Sequence, residues 1–269
     1  MRSRIHQVEQ HKLSVPGIVA MTLASNHHFP RHTHEQFGIG VLAFGAHRSW
    51  SGIGYVSAGA GDVIMVNPGE IHDGAPLEDA VRGWRMIYFE PSLVAREVSE
   101  EFAGPLEIVR PVACDSLLAR HFATLFAYLT AAQPDRLAEE ESLLNTLTCL
   151  LRRHGIPRPT AAVGRCPSVA KAIRRLDSAP DSQVSLAELA ALSGITRFQL
   201  LRAFAREVGI TPHAYLVQRR VLLAQRLLAD GQTPAQAAML AGFADQSHLT
   251  RAFVRQLGIT PGRYRTALA

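Results

Sequence analysis

The sequence predicts an α+β chain, with a strand-rich front half, a helical hairpin behind it, and an all-α carboxyl-terminal domain made of two copies of one helix-turn-helix unit. Three observations carry this. Between Gly17 and Glu90 short apolar runs alternate with glycine-marked turns; between Asp115 and Gly155 the apolar period becomes three and four; toward the end the chain repeats itself at a fixed offset. At 269 residues, with 47% hydrophobic and 19% charged residues, the chain can bury two cores and is too apolar for wholesale disorder. No uncharged apolar run approaches the roughly eighteen residues that cross a bilayer. The amino-terminal MRSRIHQVEQHKLS lacks the apolar stretch of a secretory signal. The expected compartment is the cytoplasm, with no membrane partner.

In the front region, GIVAMTLA, FGIGVLAFG, GDVIMVNPGE and RGWRMIYFEP read as consecutive short antiparallel strands of a sandwich or small barrel, within a domain spanning residues 1–112. Behind it, Leu118, Phe122, Leu125 and Leu129 recur at helical spacing, as do Leu137, Leu144, Leu147 and Leu151. This predicts two amphipathic helices broken near Gln133-Pro134 and packed as a hairpin over 113–155, with Leu117, Leu143 and Leu150 left exposed. The stretch GIPRPTAAVGRCP has three prolines, two glycines and no apolar periodicity, which places an interdomain linker at 156–167.

The remaining domain, 168–269, holds the repeat. Arg202-Ala-Phe204, Gly209-Ile-Thr-Pro212 and Tyr215 recur 49 residues later as Arg251-Ala-Phe253, Gly258-Ile-Thr-Pro261 and Tyr264. Each copy reads as a short helix, a glycine turn (Gly194 or Gly242) and a longer helix. Helix starts are marked by the capping-box forms Ser185-Leu-Ala-Glu188 and Thr196-Arg-Phe-Gln199, and by Thr211-Pro212, Thr233-Pro234 and Thr260-Pro261. On the second helix of the first copy, Leu200, Phe204 and Val208 form an inner stripe, and Phe198, Gln199, Arg202 and Arg206 face outward. In the second copy Leu249, Phe253 and Leu257 face inward, and Ser247, His248, Arg251 and Arg255 outward. The connecting helix, Pro212 to Ala229, carries one apolar stripe at Val217, Val221, Ala224 and Leu228 and another at Leu216, Leu223 and Leu227, suiting a rigid spacer about 27 Å long.

Charge points the same way. Residues 1–165 hold 15 Lys+Arg and 17 Asp+Glu, a net of −2, whereas residues 166–269 hold 13 and 6, a net of +7. Twelve of those thirteen cations are arginine, whose planar fork suits phosphates and guanines. Double-stranded DNA is therefore the expected partner. Cys114, Cys149 and Cys166 are odd in number and not closely paired, which argues against a disulfide framework, a CxxC site or an alkyl-accepting cysteine cluster.

With these residues in view, positions 168–266 resemble the tandem helix-turn-helix domain of the AraC/XylS transcriptional regulators, most specifically through GFADQSHLTRAF followed by GITPGRY. The resemblance implies that Phe198, Gln199 and Arg202 face DNA from the first unit and Gln246, Ser247, His248 and Arg251 from the second. Arg197, Arg206 and Arg255 are counted with them. Gly194 is the implied turn glycine, Gly242 and Phe243 shape the second turn, and Ala244 departs from the polar residue frequent there.

In the front domain, His32-Thr-His34-Glu35 and Gly61-Asp-Val-Ile-Met-Val-Asn-Pro68-Gly-Glu-Ile-His72 resemble the two short motifs of the cupin barrel, whose sensing version usually precedes this DNA-binding domain. In catalytic cupins such histidines bind a metal with a nearby carboxylate. Here that position falls at Gly38 or Ile39, so a divalent metal on His32, His34 and His72 competes with a structural or ligand-bonding role for the same imidazoles. Arg48, Tyr55 and Trp84, with Trp50 and Arg85, are the other candidates for an effector cavity. The resemblance further implies a small-molecule effector, RNA polymerase as a partner, and a homodimer formed through the hairpin. The expected function is a ligand-responsive, sequence-specific DNA-binding regulator and not an enzyme; the alternative is a metal-dependent cupin oxygenase or isomerase with a DNA-binding tail.

Overall fold

The structure is a computed structural model, and it describes residues 5–13, 15–99, 101–102, 104–157 and 166–268. Backbone packing divides the chain into two compact units, residues 1–158 and 159–269.

The first unit begins with nine strands: β1 (His6–His11), β2 (Ile18–Ser25), β3 (Phe29–His32), β4 (Phe37–Phe44), β5 (His47–Ser51), β6 (Gly54–Ala58), β7 (Val63–Val66), β8 (His72–Pro76) and β9 (Arg82–Phe89). Helix α1 (Pro91–Glu97), strands β10 (Leu106–Ile108) and β11 (Val112–Ala113), helices α2 (Ser116–Leu129) and α3 (Arg136–His154), and strand β12 (Gly155–Pro157) follow. One sheet runs β1-β2-β9-β4-β7-β11 and another β3-β8-β5-β6, with the pairings antiparallel. Of the sandwich and the small barrel, the described strands form the sandwich: two sheets, not one closed cylinder. The four apolar runs became β2, β4, β7 and β9. The strands between them are polar or half-exposed, so apolar runs did not mark them.

Strand β9 explains the layering. Its residues alternate between faces: Ile87 and Phe89 join Leu118, Phe122, Leu125, Leu147 and Leu151 in one buried core, which places the hairpin against the first sheet. On the other face, Trp84 meets Phe29 of β3 at 6.2 Å and His47 of β5 at 6.1 Å, joining the two sheets. Arg85 points to the helix side, its guanidinium 5.3 Å from the Phe126 ring and away from the sandwich interior.

The hairpin helices break where Gln133-Pro134 predicts, but the second stripe is turned. Leu143 and Leu150, expected outside, are 7% and 2% exposed, whereas Leu137 and Leu144, expected inside, are 74% and 47% exposed. Leucines stand on both sides of α3, and the stripe Leu143, Leu147, Leu150 and Leu151 is the one that reaches the shared core. Asp115 caps α2 through Leu118 N–H and accepts from Arg153 at 2.6 Å and His154 at 2.9 Å, tying the start of α2 to the end of α3. Part of the expected linker is also structured. Gly155–Pro157 pairs with Leu106–Ile108, and Pro167 already belongs to a helix; residues 158–165 of that linker lie outside the described residues.

The second unit comprises α4 (Pro167–Ser178), α5 (Leu186–Ser193), α6 (Arg197–Val208), α7 (Pro212–Ala229), α8 (Pro234–Leu240), α9 (Gln246–Leu257) and α10 (Pro261–Leu268). Ser185, Thr196, Thr211 and Thr233 each cap a helix with a side-chain oxygen, and Thr196 and Thr233 form full capping boxes with Gln199 and Gln236. The repeat is also a repeat of packing, since Phe204 meets Tyr215 edge-on at 5.7 Å and Phe253 meets Tyr264 at 5.4 Å. Helix α7 touches α4 and α6 of the first copy and α8, α9 and α10 of the second. Leu216, Val221, Ala224 and Leu228 are buried on it, while Val217, Leu223 and Leu227 are only half-buried. Two polar side chains share its interior: Gln218 and Arg220, the latter donating to Pro180 O at 2.8 Å and Ser182 O at 3.1 Å.

Candidate functional site

In each copy a short helix is followed by a turn and a second helix whose outer face carries the predicted cations. The turn after α8 needs glycine twice over: Gly242 has φ +78°, and a Cβ there would stand 2.4 Å from the Asp181 carbonyl oxygen. Gly194 closes α5 in the left-handed conformation. On α6, Leu200, Phe204 and Val208 are buried, and Arg197, Phe198, Gln199, Arg202 and Arg206 are exposed. On α9, Leu249 and Phe253 are buried and Leu257 is half-buried, while Gln246, Ser247, Arg251 and Arg255 are exposed.

Two of the predicted reading residues have local duties. Gln199 Oε1 accepts the Thr196 N–H at 2.9 Å, so its carbonyl is committed to the helix start. His248 is half-buried, its ring 5.2 Å from Phe243. Sequence reasoning passed over Leu201, which is 36% exposed one turn beyond Phe198 on α6. Its i+3 spacing from Phe198 was the available signal.

The second site lies between the sheets. His32 and His72 are paired across β3 and β8, and His34 stands two residues beyond the end of β3. Their ring centroids stand 4.5 Å (His32 to His72), 4.9 Å (His32 to His34) and 5.2 Å (His34 to His72) apart, with the Tyr88 ring 5.0 Å from His34. One nitrogen from each lies within 4.8 Å of the others. Burial lowers all three pKa values, that of His34 to about 3, with His32 adding repulsion toward His34 and His72. The imidazoles are therefore neutral. His32 Nδ1 lies 2.7 Å from Pro30 O and His72 Nδ1 3.2 Å from Glu70 O; a neutral ring must donate there, which leaves both Nε2 lone pairs free.

This donor set fits the first three positions of a divalent transition metal, and donation of the remote N–H to a carbonyl is the usual support of a metal-bound imidazole. It does not supply the fourth, carboxylate ligand of catalytic cupins. At Gly38, a Cβ would meet Tyr88 and Val66 at 3.1 Å and Met86 at 3.2 Å, so the site where a carboxylate would arise is filled by packing.

Trp84 is in the same interior, 6.2 Å from Phe29, which in turn lies 6.3 Å from His32. Arg48 and Tyr55 are not. Both are exposed, Tyr55 at 62%, with the Arg48 guanidinium 4.4 Å from the Tyr55 ring. Strand alternation turns Arg48 outward, because its neighbour His47 on β5 takes the inward direction, and Tyr55 of the paired strand β6 meets Arg48 on that outer face. Trp50 is covered by the Arg31 guanidinium at 3.7 Å. The interior holds one cation that the sequence did not reveal: Arg82 is fully buried and donates from Nε to His47 Nδ1 at 2.9 Å and from its terminal nitrogens to Ser25 O and His27 O, each at 3.2 Å. Burial lowers Arg82 to about 10. Burial and the neighbouring guanidinium lower His47 to about 3.

Comparison with known proteins matches each unit. A family model described as a helix-turn-helix domain matches residues 189–267, and one described as an AraC-like ligand binding domain matches residues 19–147. Among curated relatives, an uncharacterized HTH-type transcriptional regulator, YbfI of Bacillus subtilis, is 29% identical over 232 residues, covering 82% of this chain and 81% of its own. The probable transcriptional regulator LumQ of Photobacterium leiognathi is 34% identical over 108 residues, 40% of this chain and 43% of its own. Among solved structures, ToxT of Vibrio cholerae O395 is similar at a TM-score of 0.54, with 12% identity, over 100% of this chain and 99% of that one. An unsaturated-fatty-acid-bound ToxT from Vibrio cholerae strain SCE256 also scores 0.54, at 12% identity over 98% and 95%. At these identities the likeness to ToxT is one of fold.

Proposed function

The chain belongs to the AraC family of transcriptional regulators, ligand-responsive DNA-binding proteins and not enzymes, and from that premise we propose how its two units divide the work. The carboxyl-terminal unit inserts α6 and α9 into successive major grooves on one face of a promoter duplex. The observation that carries this is the pair of exposed arginines at matching positions, Arg202 and Arg251, each on the second helix of its copy. Helix α7, about 27 Å long at 1.5 Å per residue, approaches the roughly 34 Å of one DNA turn, which supports engagement of both grooves at once. In this reading Arg202 and Arg251 fork onto guanines, and Arg197, Arg206 and Arg255 neutralise phosphates. Phe198, Gln246 and Ser247 meet base edges, with His248 and Gln199 contributing through the parts of their side chains that remain free.

The amino-terminal unit binds a small effector between its sheets, lined by His32, His34, His72 and Trp84, and its occupancy biases how the DNA-binding unit engages. Only an effector that prefers one arrangement can do so. The fatty-acid-bound form of ToxT is a precedent for a small molecule on this fold. The fixed tautomers of His32 and His72 favour a second use of the same cluster, a divalent metal held by its three imidazoles, which would act as an anchor for an oxygen-bearing effector. We place the protein in the cytoplasm with the chromosome it reads, as a homodimer whose exposed hairpin leucines Leu137 and Leu144 face the partner copy, and with RNA polymerase as its downstream contact.

The test pairs Arg202→Ala and Arg251→Ala on a duplex selected from random DNA by the parent protein. Each should weaken binding to the selected site by about 1–3 kcal/mol and to unrelated DNA by less. Equal losses on both DNAs would reduce the two residues to phosphate contacts. Elemental analysis of the purified parent and His72→Ala, with cobalt titration, decides between the two uses of the cluster. A cobalt absorption band present in the parent and lost in the variant assigns the metal.

A further inference from the structure

The two copies present different chemistry at corresponding positions. Along the outward face of α6, at successive turns, stand Phe198, Leu201, Arg202 and Ala205; the same face of α9, 49 residues on, carries Ser247, Thr250, Arg251 and Val254. The arginine is common to both. Around it the first helix exposes a large apolar surface, Phe198 at 67% and Leu201 at 36%, whereas the second exposes the Ser247 hydroxyl and carries Thr250 half-buried. The buried stripe Leu200, Phe204 and Val208 holds neither residue: Phe198 stands well away from it beside Arg202, and Leu201 borders it at the edge of the exposed face.

We propose that the first unit recognises the 5-methyl groups of thymine beside a guanine, while the second reads its half-site through hydrogen bonds, so that Phe198 and Leu201 are specificity-determining residues. The proposal rests on the DNA-reading assignment above. The occupant of this apolar face follows from its surroundings: exposed Arg197, Arg202 and Arg206 flank it on the same helix, in the part of the chain with a net charge of +7. In a major groove the thymine methyl is the one apolar group offered to a side chain. A phenyl ring or an isobutyl group placed against any other base edge would cover a donor or acceptor without replacing its water. The Arg202 guanidinium carbon lies 5.5 Å from the Phe198 ring centre, a cation–π separation. Phe198 thereby also holds the arginine fork beside its own contact, coupling the thymine and guanine readings. On α9 the hydroxyl of Thr250 is turned back to the Gln246 carbonyl at 2.8 Å, leaving Ser247 and Gln246 as the exposed hydrogen-bonding groups next to Arg251.

The experiment uses the full chain and a duplex enriched from random DNA. Each thymine in the enriched site is replaced singly by deoxyuridine, which removes the methyl and leaves every hydrogen-bonding group in place. Loss of one buried methyl corresponds to about a fourfold weaker complex. The expected result is such a loss at one or two thymines confined to one half-site, no loss at thymines of the other, and no methyl dependence in Phe198→Ser/Leu201→Thr, which gives α6 the residues of α9. Both positions are exposed, and the salt dependence of binding to unrelated DNA reports whether the variant remains a folded DNA binder. Photocrosslinking of 5-iododeoxyuridine at a sensitive position should attach to the peptide containing Phe198. A site indifferent to every deoxyuridine overturns the proposal, as does methyl dependence retained in the double variant or a crosslink to α9. Failure of the random library to yield any enriched site would instead overturn the DNA-reading assignment on which it rests.

Discussion

A fully buried arginine without a carboxylate beside it is expensive, because its charge has left water for neutral acceptors. Arg82 is held by two carbonyls and by His47 Nδ1, which must be unprotonated to accept from a guanidinium. His47 therefore sets an acid limit on the first unit. Its folded pKa, about 3, lies below the ordinary 6.5, so above pH 6.5 neither folded nor unfolded chain is protonated there and the arrangement is at full strength. As pH falls below 6.5 the unfolded chain takes up a proton that the folded chain refuses, and stability declines until the folded pKa is reached. The expected loss between pH 7 and pH 5 is at most about 2 kcal/mol from this group. Denaturant unfolding followed by tryptophan fluorescence measures it in the right place, since both tryptophans, Trp50 and Trp84, belong to the first unit. His47→Gln keeps an acceptor for Arg82 and should make the dependence shallower by the share of His47, while the buried His32, His34 and His72, lowered in the same direction, keep theirs; an unchanged slope would show that His47 contributes nothing to it.

Elements, and not single contacts, fix the distance between the two reading helices. Helix α7 is packed on both sides, and Arg220 adds a polar clamp by donating to the carbonyls of Pro180 and Ser182 in the segment between α4 and α5. Inserting one alanine after Leu222 rotates everything downstream by about 100° and advances it about 1.5 Å, which turns Arg251 away from a groove that Arg202 still occupies. Binding to a two-groove site should then fall to that of a single unit, while binding to a half-site for α6 is retained. Circular dichroism of the insertion variant separates misaimed helices from unfolded ones. Affinity equal to the parent in a folded variant would mean that the two copies act as loosely tethered readers.

At the scale of the whole molecule, charge is segregated: a net of +7 over residues 166–269 against −2 over residues 1–165. No helix among the described residues is long and apolar enough to cross a membrane. Counterion release from DNA should dominate the affinity of the basic part. The fragment 168–269 is expected to bind the selected duplex, with affinity falling about a hundredfold or more between 50 and 200 mM salt. Gel-shift titrations at four salt concentrations supply the slope, and binding indifferent to salt would contradict the phosphate contacts assigned to Arg197, Arg206 and Arg255.

The amino-acid sequence by itself determined whatever depends on neighbours a few residues away. The caps at Thr196, Thr211 and Thr233, the limits of α7, the inner stripe of α6 and the outward arginines follow from hydrogen-bonding reach and helical period, which are local properties. The three histidines were legible for a related reason: HxH and a distant histidine form a pattern that survives without knowledge of the packing. Tertiary structure decided which of two equivalent faces is buried. Leucines stand on both sides of α3, and only the shared core with β9 selects Leu143 and Leu150 over Leu137 and Leu144. A one-residue change of strand phase exchanges inside and outside, which is why Arg48 and Tyr55 lie on the outer surface and Arg82, not distinguished by any motif, occupies the interior. Burial is a property of the assembled sheets, and no single strand carries it in its own sequence.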